Sequence, residues 1–165
     1  VHGRRVNGAD RPGNVRRWRV LQGLVGHRQR QRHGELAAVS QALAARLDRL
    51  HRRVTRDGRR FDKLSLAEQH RVRKRLKRLR YLAELTASLW PRNLTRSNLK
   101  RLTAAQDALG RHNDVAVAVT AFRDDAAVHP DAWFAGGYLQ AQLPVTARSA
   151  RKALVKLADA DRCWK

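Results

Sequence analysis

From Leu36 onward, apolar side chains return every three or four residues, and Leu36, Leu43, Leu47, Leu50 and Val54 predict a helix that Gly58 stops. After a short connection over Phe61–Leu64, Ser65 and Glu68 stand in the S-x-x-E spacing of a capping box and open a second periodic run, expected to reach Trp90 and end at Pro91. Leu94, Leu99, Leu102, Ala105 and Leu109 predict a third helix closed by Gly110, with Asn113 or Asp114 capping a fourth. Val115–Val119 alternates as a strand would, but no partner strand is available, so it reads as a buried helix. The stretch from Asp131 to Lys156 carries Trp133, Phe134, Tyr138, Leu139, Leu143 and Leu154, with Leu157 directly after it and Pro144 expected to kink or split it. The expected fold is an all-α antiparallel bundle of about five to six helices over residues 34–165. Residues 1–33 lack this rhythm and hold Gly8, Pro12, Gly13, Gly23 and Gly26. They predict a poorly structured basic segment in which Trp18, Leu21 and Val25 allow a short helix over Val15–Val25.

Charge changes the picture more than length does. A chain of 165 residues has room for one domain, but Lys+Arg of 36 against Asp+Glu of 14 leaves a formal charge of +22. Self-repulsion on that scale implies a polyanionic partner. An Arg-favouring codon bias, consistent with the absence of Ile, does not account for the scarcity of acids. The single cysteine, Cys163, cannot form an internal disulfide and fits the cytoplasm, and no apolar stretch is long enough to cross a membrane.

Within His70–Tyr81 the spacing of the charges matters more than their number. Val72, Leu76, Leu79 and Ala83 form a core-facing stripe. His70, Arg73, Lys77 and Arg80 form a second stripe about 100° around the helix, flanking the core and able to line a groove. A row of cations about one turn apart suits a linear phosphate chain, each guanidinium forking onto two oxygens and each ammonium acting as a point charge. Arg71, Lys74, Arg75 and Arg78 occupy the remaining, solvated basic face, with Lys74 the nearest further candidate contact. The competing reading is a helix face that is merely solvated, and spacing alone does not separate the two.

Catalytic and metal chemistry find little support. The histidines at 2, 27, 33, 51, 70, 112 and 129 make no His-x-x-x-His pair, there is no Cys-x-x-Cys, and neither a glycine-rich phosphate loop nor converging carboxylates for Mg²⁺ can be found. Asp107 and Asp114, expected around one loop, read as ion-pair formers, and Asp124-Asp125 as a helix end. No cofactor is implied.

His70-x-x-Arg73-x-x-x-Lys77-x-x-Arg80-Tyr81-x-x-Glu84, followed by Gln106-Asp-Ala-Leu-Gly110-Arg-His-Asn113-Asp114, resembles the second half of a CHAD domain, as do Asp57–Phe61 and the closing Trp164, over about residues 36–165. The resemblance implies a helical bundle of two related halves around a basic cavity that binds inorganic polyphosphate, and in some relatives an association with polyphosphate granules. Carried onto this chain, it assigns polyanion contacts to His70, Arg73, Lys77, Arg80 and Tyr81. Only Val1–Val6 hints at the N-terminal counterpart helix, which suggests a truncated member whose binding is weakened or needs a second copy to complete the cavity. Two other readings compete: a nucleic-acid-binding helical protein, which the charge permits although few aromatics lie among the basic residues, and a helical scaffold whose basic face docks an acidic protein, or a non-functional remnant of a longer gene.

Overall fold

The computed structural model describes the backbone of residues 12–126 and 128–165, and their side chains from Gly34 onward. Expectations for residues 1–11, and for the side chains of Trp18, Leu21 and Val25, lie outside the described residues. Four α-helices occur among the described residues: α1 (Pro12–Gly58), α2 (Leu66–Leu85), α3 (Arg92–Asp125) and α4 (Ala132–Ala158), with short 3-10 turns at Phe61–Lys63 and Ala87–Leu89. No strand occurs among the described residues. Two compact units divide the chain, Val1–Ala42 and Leu43–Lys165, and the core lies in the second.

That core is built from the predicted stripes. Leu47 and Val54 of α1, Val72, Leu76, Leu79 and Ala83 of α2, Leu102, Ala105 and Leu109 of α3, and Ala150, Leu154 and Leu157 of α4 are all buried to within a per cent or so. Short connections keep successive helices antiparallel, and α3 and α4 form the most extensive pairing. At 1.5 Å per residue α3 is about 51 Å long against about 30 Å for α2, so the α3–α4 hairpin overhangs the start of α2. Val117, Trp133, Phe134 and Tyr138 are exposed on that overhang.

Three sequence expectations are corrected here. Gly110 does not close a helix, and neither Asn113 nor Asp114 caps one: α3 runs through all three, and Asp107 lies on it too. The reason is tertiary. Leu102, Ala105, Leu109, His112, Ala116 and Val119 continue one unbroken 3-4-3 stripe, most of it buried, and packing against α4 outweighs the roughly 1 kcal/mol that a helical glycine costs. Pro144 does not split α4 either. It is exposed, as is Gln140, whose carbonyl it deprives of a helical partner, so that oxygen stays on the solvated side. Finally, α2 stops at Leu85, short of Trp90, because the Thr86 hydroxyl donates to the Leu82 carbonyl (2.8 Å) and accepts from Trp90 Nε1 (3.2 Å), folding the chain into the 3-10 turn. In place of the expected five to six helices, the described residues therefore form four.

By burial and by contacts to α1, residues 162–164 are tied to the core. Cys163 and Trp164 are buried in it, Trp164 stands edge-on to His51 with ring centroids 6.0 Å apart, and Arg162 pairs with Asp48, which also holds Arg52 at 3.0 Å. Burial pushes the Cys163 thiol up, so it is a packing residue and a poor nucleophile.

Gly58, the last residue of α1, permits a close helix approach. A Cβ placed on it would stand 2.8 Å from Leu154 Cβ, an atom fixed to the α4 backbone. Gly58→Ala is therefore expected to destabilise the fold by about 1–2 kcal/mol despite alanine's better helix propensity, which a urea denaturation curve would register as a lower midpoint with unchanged slope.

Candidate polyanion-binding site

Helix α2 is positioned first at its start. The Ser65 hydroxyl accepts from Glu68 N–H (3.4 Å) while Glu68 Oε2 accepts from Ser65 N–H (3.0 Å) and from the Ser65 hydroxyl (2.9 Å), completing the predicted capping box. Those donors hold the Glu68 carboxyl below its usual range. On the flank facing α1, Arg75 donates to Asp57 at 2.6 Å and Arg71 lies 3.7 Å from Glu68. With these pairs made, the opposite flank carries the candidate stripe.

The stripe falls into two groups. His70 and Arg73 line a cavity of about 460 Å³ between α2 and the outer part of α3, closed by Phe61, Leu66, Gln69, Leu109, His112, Asn113 and further residues as far as Asp124. Its wall is more apolar than a bare polyanion requires. Lys77 and Arg80 converge instead on Tyr81, the Lys77 ammonium 5.6 Å and the Arg80 guanidinium 5.3 Å from the ring centroid, and Arg80 also reaches Glu84 at 3.6 Å. Neither lines the cavity at His70. Lys74 is exposed on the solvent side, apart from both groups. The Nε atoms of Arg73 and Arg80 are buried without a hydrogen bond inside the protein, so both guanidinium stems are held against the helix packing.

Sequence reasoning missed the groups that orient His70. Two consecutive residues of α2 meet two consecutive residues of α3: Gln69 Oε1 is 2.7 Å from His112 Nε2, and His70 Nδ1 is 3.1 Å from Asn113 Oδ1. The first pair is buried and the second lies at the cavity rim. Because Gln69 Nε2 donates to the Phe61 carbonyl (3.0 Å), its oxygen faces His112, whose Nε2 must donate. Thr146 on α4 then donates its hydroxyl proton to His112 Nδ1 across 2.9 Å. Asn113 accepts from His70 Nδ1–H, which leaves Nε2 as the ring nitrogen available to a ligand. The signal was present in the sequence as the Gln106–Asp114 motif, but a side chain expected to cap a helix is in fact a bridge between two.

Burial lowers the pKa of His112, and burial also lowers that of His51, opposed by its contact to the Leu157 carbonyl at 3.4 Å. The unfolded chain therefore takes up protons first as pH falls. Stability contributed by the neutral rings is complete above about pH 6.5, the unfolded value, and is lost as pH falls from there through the folded values. Melting temperatures measured from pH 7.5 down to 5.5 are expected to decline, and a His51→Gln/His112→Gln variant to show a flatter profile.

The arrangement thus presents a cationic flank, an oriented imidazole and a half-apolar cavity on one side of a single helix. The sequence pattern of the CHAD domain matches residues 13–123, well over half of the chain. The chain belongs to the CHAD domain family. The matched stretch contains all of α2 and the Gln106–Asp114 segment of α3. It starts ahead of the residue-36 limit expected from the motifs, and it ends before α4, leaving Trp164 outside. Neither a curated protein nor a solved structure matches this CHAD domain. No helix among its described residues is long and apolar enough to cross a membrane, and no cluster of three potential metal ligands occurs among them.

Proposed function

We propose that this CHAD domain binds inorganic polyphosphate without chemical conversion, along the α2 flank that carries His70, Arg73, Lys77 and Arg80, with Tyr81 and Lys74 as neighbouring contacts. The observation that carries this reading is the clustering of Lys77 and Arg80 on Tyr81, which holds two cations side by side about two turns beyond His70 and Arg73. Gathering like charges on one ring costs repulsion that a phosphate chain relieves, and the chain's net charge of +22 makes approach of any polyanion favourable at long range. His70 adds a directed ring nitrogen, and Asn113 fixes its rotamer. The role is that of a cytoplasmic binding module, with granule association as its cellular expression.

Lys77→Ala/Arg80→Ala is expected to weaken binding of long-chain polyphosphate at least tenfold while leaving the helical circular-dichroism signal intact. The slope of log affinity against log salt is expected to become shallower by about 1–2. An unchanged affinity would remove this flank from the function. Preference for duplex DNA over polyphosphate at matched charge and ionic strength would favour the nucleic-acid reading instead.

A further inference from the structure

A second concentration of positive charge lies on the other flank of α2 and belongs to neither motif. Arg46, Arg49 and Arg53 of α1 share a cleft of about 400 Å³ with Arg78 of α2, over a floor of half-buried Leu50 and Leu82. On α1 the spacing 46, 49, 53 places the three arginines within an arc of about 60°. On α2, Arg78 lies about 130° around the helix from the core stripe, on the side opposite Arg73 and Arg80.

The distribution of acids distinguishes this cleft from the adjoining one along the same two helices. Seven ion pairs occur among the described residues, and they engage Arg52, Arg56, Arg71, Arg75, Arg80, Arg151 and Arg162. None engages an arginine of this cleft. The adjoining cleft along the same two helices holds Arg56, Arg60, Arg71 and Arg75 but also contains Asp57 and Glu68, which pair with three of these four. Charge is therefore partly offset in one cleft and not offset by any ion pair in its neighbour, where packing of two helices nevertheless keeps four guanidinium groups together.

We propose that the Arg46–Arg49–Arg53–Arg78 cleft is a second anion site, taking a short condensed-phosphate segment of about three phosphates. Four guanidinium groups match the roughly four to five negative charges of a free three-phosphate chain, and each can fork onto the oxygens of a tetrahedral phosphate. A nucleotide is a poorer fit, because the lining offers two leucines and no aromatic face for a base. The assignment is independent of the flank at Lys77 and Arg80.

Titration calorimetry of the full chain with tripolyphosphate at low salt tests it. The wild type is expected to bind two equivalents. Arg46→Gln/Arg49→Gln/Arg53→Gln, all at exposed positions, is expected to lose one equivalent or weaken it at least tenfold, and Lys77→Ala/Arg80→Ala to retain it. A charge-matched control, Arg101→Gln/Arg111→Gln/Arg148→Gln, also exposed, is expected to keep both equivalents. Unchanged binding by the cleft variant, or an equal loss in the control, overturns the second site and leaves the first untouched. Loss only in the cleft variant, with the Lys77/Arg80 variant behaving as wild type, supports the second site and overturns the first. Displacement of tripolyphosphate from the cleft by single-stranded DNA of matched charge overturns the choice of ligand.

Discussion

Leu79→Ala is expected to lower stability by about 3 kcal/mol, within the range of about 2–5 kcal/mol for leucine truncations in packed cores, and to lower the melting temperature by about 6–12 °C. The size of the effect follows from the composition of α2. Arg71, Arg73, Lys74, Arg75, Lys77, Arg78 and Arg80 crowd twenty residues, and like charges at four-residue spacing each oppose helix formation by a few tenths of a kcal/mol. What keeps α2 in place is a single stripe of Val72, Leu76, Leu79 and Ala83, each at most 1 % exposed. Truncating Leu79 removes one of its two leucines and leaves the cationic faces without a compensating gain. Thermal denaturation followed by circular dichroism checks the figure. Polyphosphate at a hundred times its dissociation constant is expected to restore about 2.7 kcal/mol, since a ligand of the folded state alone stabilises by mass action. No shift on adding polyphosphate would count against binding at α2.

What could be read from the sequence was whatever is decided within one helical turn or two. The capping box at Ser65 and Glu68 needs only a spacing of three, and the stripe Val72–Leu76–Leu79–Ala83 needs only the helical period, so both stood in plain view. Gly110 and Pro144 misled because their local preferences are real and are overruled by the length over which α3 and α4 pack, a property of two segments together. The candidate site divides along the same line. The sequence places His70, Arg73, Lys77 and Arg80 on one flank, but only the fold separates them into a cavity pair and a Tyr81-centred pair. Contacts between residues 43 positions apart, such as Gln69 with His112 and His70 with Asn113, leave no local periodic trace. The arginine cleft was hidden for a related reason. Arg46, Arg49 and Arg53 look like an ordinary solvated face until Arg78 is brought opposite them while the nearby acids are used elsewhere.

The buried bridge behind His70 carries the second large effect. His112→Ala is expected to cost about 2–4 kcal/mol: it leaves Gln69 Oε1 buried without its donor, worth about 1–3 kcal/mol, and opens a void where the imidazole packs edge-on against Phe61 at a centroid distance of 5.5 Å. Thr146 suffers less, because its hydroxyl can turn to the Gln142 or Leu143 carbonyl, 3.0 and 3.1 Å away. The loss should therefore couple to Gln69 and hardly at all to Thr146. In a double-mutant cycle, Gln69→Leu/His112→Leu is expected to be less destabilising than the sum of its single variants, whereas His112→Leu/Thr146→Val is expected to be close to additive. The functional consequence lies one residue along each helix. With the inner pair gone, Asn113 and His70 lose the clamp that sets α2 against α3, and polyphosphate affinity is expected to fall in His112→Ala even at temperatures where the domain is fully folded. Equal affinity in wild type and variant under those conditions would show that the bridge serves stability alone.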